Sequence, residues 1–110
     1  MSSAEACAPD PAPVFAALGD RTRLSLLMRL SDGSPRSIAK LSADTRLTRQ
    51  AISKHLQVLE GAGLVSSARV GRESRFAYRP GPVAEARSYL DTVSAQWDDA
   101  LSRLRALVED

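Results

Sequence analysis

The apolar residues of the last quarter of the chain fall at helical spacing. Leu90, Val93, Trp97, Leu101, Leu104 and Val108 follow one another at intervals of 3, 4, 4, 3 and 4. That period lines them along one stripe of a single long helix. The whole chain has only 110 residues, and a domain of that size buries little core. The chain's own core takes part of the stripe, and association with another chain is the available source of further burial.

Few other classes fit the composition. No apolar run approaches the ~18 residues of a membrane span. Met1–Pro13 has neither a basic head nor an apolar stretch, so it does not read as a signal peptide. Cys7 is the only cysteine and His55 the only histidine. One of each excludes an intrachain disulfide framework and a Cys/His zinc site within one chain. No Ser/His/Asp set, phosphate loop or paired-carboxylate site is visible, and His55 has no evident relay partner in sequence. The expectation is a cytoplasmic protein that is not an enzyme, with no cofactor, no metal and no membrane partner.

Along the chain, residues 1–13 carry Pro9, Pro11 and Pro13 among small and acidic residues and read as a flexible arm. Residues 14–110 read as one domain. Val14–Leu18 is a short apolar helix that Gly19 breaks. Asp20 is an N-cap for a second helix, Arg21–Leu30, with Leu24, Leu27, Met28 and Leu30 expected to face inward. Ser31–Pro35 is a turn. Ser37 starts a third helix, Ile38–Ala43. Asp44–Leu47 connects it to a fourth, which Thr48 caps and which runs from Arg49 to about Ala62, where Gly63 closes it. Leu64–Val70 and Ser74–Arg79 read as strands around a Gly71-Arg72-Glu73 turn, with Phe76 and Tyr78 on one face. Pro80-Gly81-Pro82 ends the hairpin, and the long helix begins at Val83. The order α-α-α-α-β-β-α is mainly helical with a two-stranded β-hairpin. Two short helices joined by a tight turn and followed by a hairpin make a winged helix-turn-helix.

Charge and chemistry converge on the same segment. Residues 36–79 hold nine Lys and Arg against three Asp and Glu, whereas both flanks are net acidic. Such a basic block is either a polyanion-binding face or a solvated surface. On a wheel of the fourth helix, Arg49, Gln50, Ser53, Lys54 and Gln57 fall within an arc of about 140°, opposite Ile52, Leu56 and Leu59. Arginine pairs bidentately with guanine and glutamine with adenine, while serine and lysine serve phosphate or base. The helix's N-terminal amides and dipole favour a phosphate. Arg72 at the hairpin tip and Arg75 on the return strand are placed for an adjacent minor groove or for phosphates. His55 falls toward the core side, as a packed histidine that braces the helix.

Four stretches resemble the ArsR/SmtB-type winged-helix repressors. Phe15-Ala16-Ala17-Leu18-Gly19-Asp20-Arg21-Thr22-Arg23-Leu24 is similar to their opening. Leu47-Thr48-Arg49-Gln50-Ala51-Ile52-Ser53-Lys54-His55-Leu56-Gln57-Val58-Leu59 is similar to their recognition helix. Glu60-Gly61-Ala62-Gly63-Leu64-Val65 resembles its exit, and Gly71-Arg72-Glu73 the wing turn. The likeness runs from about Val14 to Leu107. It implies a homodimeric DNA-binding transcription regulator, usually a repressor released by a ligand, on a pseudo-palindromic operator of double-stranded DNA. It implies DNA contacts at Arg49, Gln50, Ser53 and Lys54, at Thr48 and Ser37 at helix starts, and at Arg72 in the wing. It implies a dimer interface of Val14, Phe15, Leu18, Leu90, Val93, Trp97, Leu101, Leu104 and Val108.

The chain departs from the family in its sensor. The helix before the recognition helix lacks the cysteines that many members use for metals. Asp91-Thr92-Val93 begins like the family's Asp/His motif on the last helix, but no histidine follows. Asp91, Asp98, Asp99 and Glu109 offer only oxygen ligands, weak for zinc or nickel, and read as a solvated face. Cys7 has alanine on both sides and reads as an incidental thiol. The missing ligand set leaves a second reading open: a winged-helix subunit that regulates transcription only with a partner or sensor protein.

Overall fold

The computed structural model describes residues 10–43 and 45–109. Cys7 and most of the expected N-terminal arm lie outside the described residues. Among the described residues, five helices and three strands follow in order: α1 (Ala12–Leu18), α2 (Arg21–Leu30), β1 (Arg36–Ser37), α3 (Ile38–Ala43), α4 (Arg49–Gly61), β2 (Val65–Val70), β3 (Glu73–Tyr78) and α5 (Pro80–Glu109).

The helix starts follow the expected chemistry. Asp20 Oδ1 accepts the Arg23 backbone N–H at 3.0 Å, Ser37 Oγ accepts that of Lys40 at 3.2 Å, and Thr48 Oγ1 accepts that of Ala51 at 3.1 Å. Each satisfies one of the orphan donors of a first helical turn. Two arginines of α2 serve helix ends instead. Arg23 Nε donates to the Ala17 carbonyl at 2.6 Å, and Arg29 Nη1 donates to the Leu41 carbonyl at 2.6 Å. The last carbonyls of α1 and α3 therefore find charged donors on α2, which ties three helices together.

These arginines also explain a correction. Leu24 and Met28 do not face inward but are 47% and 73% exposed, and Leu26 is buried with Leu27 and Leu30. The apolar residues of α2 cover an arc of about 200°, from Leu26 round to Met28, so periodicity leaves open which part of it faces the core. Arg23, Leu26, Leu27 and Leu30 share one face at helical spacing. With Arg23 turned inward to reach α1, Leu24 and Met28 turn outward.

The core lies between α2, α3, α4 and the sheet. Leu26, Leu30, Leu41, Ile52, Leu56, Leu59 and Leu64 are fully buried, and Val14, Ala17, Phe76 and Ala86 close its edges. The exit from α4 is a Schellman turn. The Gly63 N–H donates to the Glu60 carbonyl at 2.9 Å and the Leu64 N–H to the Leu59 carbonyl at 3.0 Å. Gly63 has φ +77°, a conformation that a side chain resists. The turn drops Leu64 into the core and starts β2.

The sheet has a strand that the sequence reading lacks. β1 joins the hairpin on its β3 side, giving the antiparallel order β1-β3-β2, with Arg36 opposite Phe76 and Ser37 opposite Arg75. Two residues carry no detectable period, so pairing alone reveals them. A second difference lies at α5, which begins at Pro80, not Val83. A proline in a first helical turn has no N–H to waste, so Pro80 and Pro82 open the helix rather than delay it. Likewise α1 begins at Ala12, two residues before Val14.

α5 has 30 residues, about 45 Å at 1.5 Å each, and of these only Ala86 is buried. The radius of gyration is 18.8 Å, well above the about 13 Å of a compact domain this size. Among the described residues no helix is long and apolar enough to cross a membrane.

Two glycines of this turn separate conformation from space. Gly63→Ala is expected to cost about 1–2 kcal/mol, because it forces a side chain into the left-handed region. Gly61→Ala, inside α4 with open space at its Cβ, is expected to stabilise by up to about 1 kcal/mol. Urea midpoints of the two variants should move in opposite directions.

Candidate nucleic-acid interface

The first turns of α4 form the floor of an open groove of about 600 Å³. Arg49, Gln50 and Ser53 line it from α4. Ser37, Ile38 and Ala39 line one side, and Arg69, Arg72, Glu73 and Ser74 of the hairpin line the other. The strand β1 makes this geometry rigid, because it bonds the start of α3 directly to the wing. Of the expected contact residues, the fold thus gathers Ser37, Arg49, Gln50, Ser53 and Arg72 around one groove.

The remaining expected contacts lie beside it. Thr48 is exposed at the α4 N-terminus; its oxygen accepts the capping bond and its hydroxyl proton is left to donate. Lys54 is exposed farther round α4. Arg75 does not line the groove. It donates from Nε and Nη2 to Glu73 Oε1 at 3.2 and 3.0 Å. Strand alternation gives the reason: Arg75 stands on the opposite face from Phe76, which is buried.

Arg69 also lines the groove, and nothing local in the sequence singles it out from the other basic residues of 36–79. It lies opposite Ser74, as Ser67 lies opposite Phe76. All four share one face of the hairpin, the face turned to α4. Phe76 enters the core, the Ser67 hydroxyl donates to Glu60 Oε2 on α4 at 2.8 Å, and Arg69 continues past the core over the groove. Counting by twos from the apolar Phe76 and across the turn would have found it. Three arginines therefore line the groove against one carboxylate, Glu73, which Arg75 already pairs.

Behind the groove, α4 is braced at His55. Its Nδ1 lies 3.4 Å from Arg23 Nη1 and 4.0 Å from Asp20 Oδ1. The partners that the sequence reading could not see come from the α1–α2 junction, more than thirty residues away. The backbone N–H of Arg23 lowers the Asp20 pKa below its ordinary 3.8, and the positive charges of Arg23 and His55 act in the same direction. Asp91, Asp98, Asp99 and Glu109 are strung along α5, and among the described residues no three potential metal ligands converge.

The sequence model of the bacterial regulatory proteins of the arsR family matches residues 20–67, from the α2 cap through the start of the wing. The uncharacterised HTH-type transcriptional regulator YuzN of Bacillus subtilis is 46% identical over 64% of this chain and 83% of its own length. The chain belongs to the ArsR family. It is a DNA-binding transcriptional regulator of the winged helix-turn-helix type. An ArsR-like transcriptional regulator from Rhodococcus sp. RHA1 superposes with a TM-score of 0.77 at 37% identity, over 88% of this chain and 91% of that one. The homodimeric winged helix-turn-helix DNA-binding domain of Mb0332 from Mycobacterium bovis superposes with a TM-score of 0.61 at 26% identity, over 77% and 78%. This ArsR-family regulator thus keeps the family architecture from the first helix into the last.

Two predictions follow from the groove's charges. Arg69→Ala should weaken binding to DNA of any sequence and reduce the salt slope by about 1. Arg75→Ala should also weaken binding, by freeing Glu73 to repel phosphate, and Glu73→Gln should restore it. Fluorescence-anisotropy titrations over a salt series read both. No rescue by Glu73→Gln would make Arg75 a direct contact.

The cap at Asp20 predicts an acid response. A lowered folded pKa means that the stabilisation is fully present above about pH 4, the ordinary carboxylate range, and is lost as pH falls through the lowered value. Asp20→Asn keeps a capping oxygen but cannot titrate, so its stability should fall less between pH 4 and pH 2.5 in thermal melts.

Proposed function

We propose that this regulator is a homodimeric repressor that places α4 of each subunit in successive major grooves of a pseudo-palindromic operator and is released by an effector. The observation that carries the reading is the groove itself. A hydrogen-bonding helix face, a capped helix start and an arginine-bearing wing open on one side of the molecule. Arg49, Gln50 and Ser53 are the base-reading candidates, and Thr48, Lys54, Ser37, Arg69 and Arg72 serve the backbone. Two such helices meet successive grooves when about 34 Å apart.

The dimer is supported by α5 and by the homodimeric M. bovis relative. Leu90, Trp97, Leu101, Leu104 and Val108 are each more than half exposed on the single chain, a contiguous apolar surface of the kind that marks an interface. Val14 is taken up by the chain's own core, and Phe15 packs on Tyr89 of α5 with ring centroids 6.1 Å apart. On this reading α1 supports the interface more than it fills it. A DNA-binding regulator of this kind works in the cytoplasm.

Electrophoretic shift of the DNA upstream of its own gene, by chelator-treated and reduced protein at two salt concentrations, tests this. The expected result is a salt-sensitive, sequence-preferring complex of dimer stoichiometry. Arg49→Ala should cost about 1–3 kcal/mol of operator affinity and relax base preference. Equal affinity for operator and scrambled duplex at both salts would overturn autonomous repression at this site and favour a regulator that needs a partner protein.

A further inference from the structure

We infer that Arg23 and His55 position the recognition helix for operator binding, and that they do so only while the imidazole is neutral with its proton on Nε2. The inference rests on the reading of α4 as the helix that meets the bases, and adds what holds its fine orientation.

Base reading needs donors held within about 0.5 Å of their targets. Burial of Ile52, Leu56 and Leu59 turns one face of α4 inward, and directional bonds on both flanks of that face hold it to the finer setting. On the helical wheel, His55 and Glu60 stand about 70° to either side of the apolar stripe. Glu60 Oε2 accepts the Ser67 hydroxyl of the wing at 2.8 Å. His55 Nδ1 meets Arg23 Nη1 at 3.4 Å. The helix is thus tethered to the wing on one flank and to α2 on the other. Arg23 is itself held in place. Its Nε donates to the Ala17 carbonyl at 2.6 Å and its Nη2 to the Ala16 carbonyl at 3.4 Å, and its side chain is only 18% exposed. Both carbonyls belong to α1, which packs on α5 through Phe15 and Tyr89. One guanidinium therefore joins the recognition helix to the helix that packs on α5.

This contact fixes the state of the ring. A guanidinium has donors only, so Nδ1 accepts and carries no proton, and the hydrogen of the neutral ring sits on Nε2. A proton added at Nδ1 takes the lone pair that held the arginine bond and sets a second cation beside the first. It also gives Nδ1 a donor for Asp20, whose Oδ1 lies 4.0 Å away. Protonation therefore exchanges the partner of His55, from the guanidinium to the carboxylate that caps α2. Among the described residues no other charged group, from α2, α3, the sheet or α5, bonds to or pairs with the ring. On α4 itself Lys54 and Glu60 lie about 100° and 140° round the helix from it. Histidine is the side chain whose charge ordinarily changes between about pH 5 and pH 8.

Two measurements test this. His55 is the only histidine, so the imidazole signals of the untagged protein belong to one ring. Proton–nitrogen correlation spectra at about pH 8 should show a bare Nδ1 and a protonated Nε2. The opposite tautomer, or a charged ring at that pH, would overturn the inference. Fluorescence-anisotropy titrations then compare the DNA upstream of the gene with a scrambled duplex, from about pH 8 to about pH 5.5 at constant salt. The ratio of the two affinities removes the general rise in DNA affinity as the protein gains positive charge. That ratio should fall about tenfold across the series, the scale of one lost hydrogen bond to a charged group. His55→Asn keeps an acceptor oxygen near the place of Nδ1 and does not titrate. Its ratio should stay near the wild-type value at the upper pH throughout. A wild-type ratio that is constant over the series, or an equal fall in His55→Asn, would overturn the inference and leave α4 as the DNA-reading helix. Equal affinity for the two duplexes at the upper pH would overturn that reading and the inference together. The tautomer and the wild-type series require no variant to fold.

Discussion

Burial of one face of α4 holds the rest in place. Ile52, Leu56 and Leu59 are wholly removed from water, each contributing roughly 1.5–3 kcal/mol. A helix pinned along that face has no freedom to rotate. Its opposite face, Arg49, Gln50 and Ser53, must therefore open to solvent at a fixed angle. The Schellman turn at Gly63 then sends Leu64 into the same core, so one hydrophobic cluster sets the direction of both the helix and the wing. The proposed interface for DNA is a consequence of where the leucines go.

Around this core the polar chemistry is economical. Arg23 and Arg29 lie on the same helix, and each satisfies carbonyls at the end of another helix. Asp20 caps α2 and faces His55 of α4. Short helices carry a large share of unsatisfied end groups, and a small domain has few residues with which to satisfy them. Side chains that serve two elements at once answer that shortage, and they couple the α1–α2 junction to the recognition helix.

The groove shows how far a sequence can be read. The α4 face was legible because its period matches a helix and its cap and C-terminal glycine frame it. Ser37 and Arg72 were legible as a cap and a turn. Arg69 was not singled out, because a lone arginine in a strand has no signal until the pairing register is known. Arg75 looked equivalent to Arg72 in sequence, but the pleat places it on the other face, beside Glu73. The rotation of α2 was illegible for another reason: an apolar arc of about 200° is too wide to fix one inward direction, and the long-range bonds of Arg23 supply it.

Local order was therefore written in the chain. The capped starts of α2, α3 and α4, the α4 exit, the hairpin turn and the stripe on α5 rest on spacing and capping within a few residues of each other, and such interactions survive in a linear reading. The third strand, the outward turn of Leu24 and Met28, the brace at His55 and the place of Arg69 rest on contacts between residues far apart in sequence. Those contacts exist only once the core has closed. Sequence determined what each segment is and which face of α4 bears the chemistry; tertiary packing decided which of the basic residues stand together around one groove.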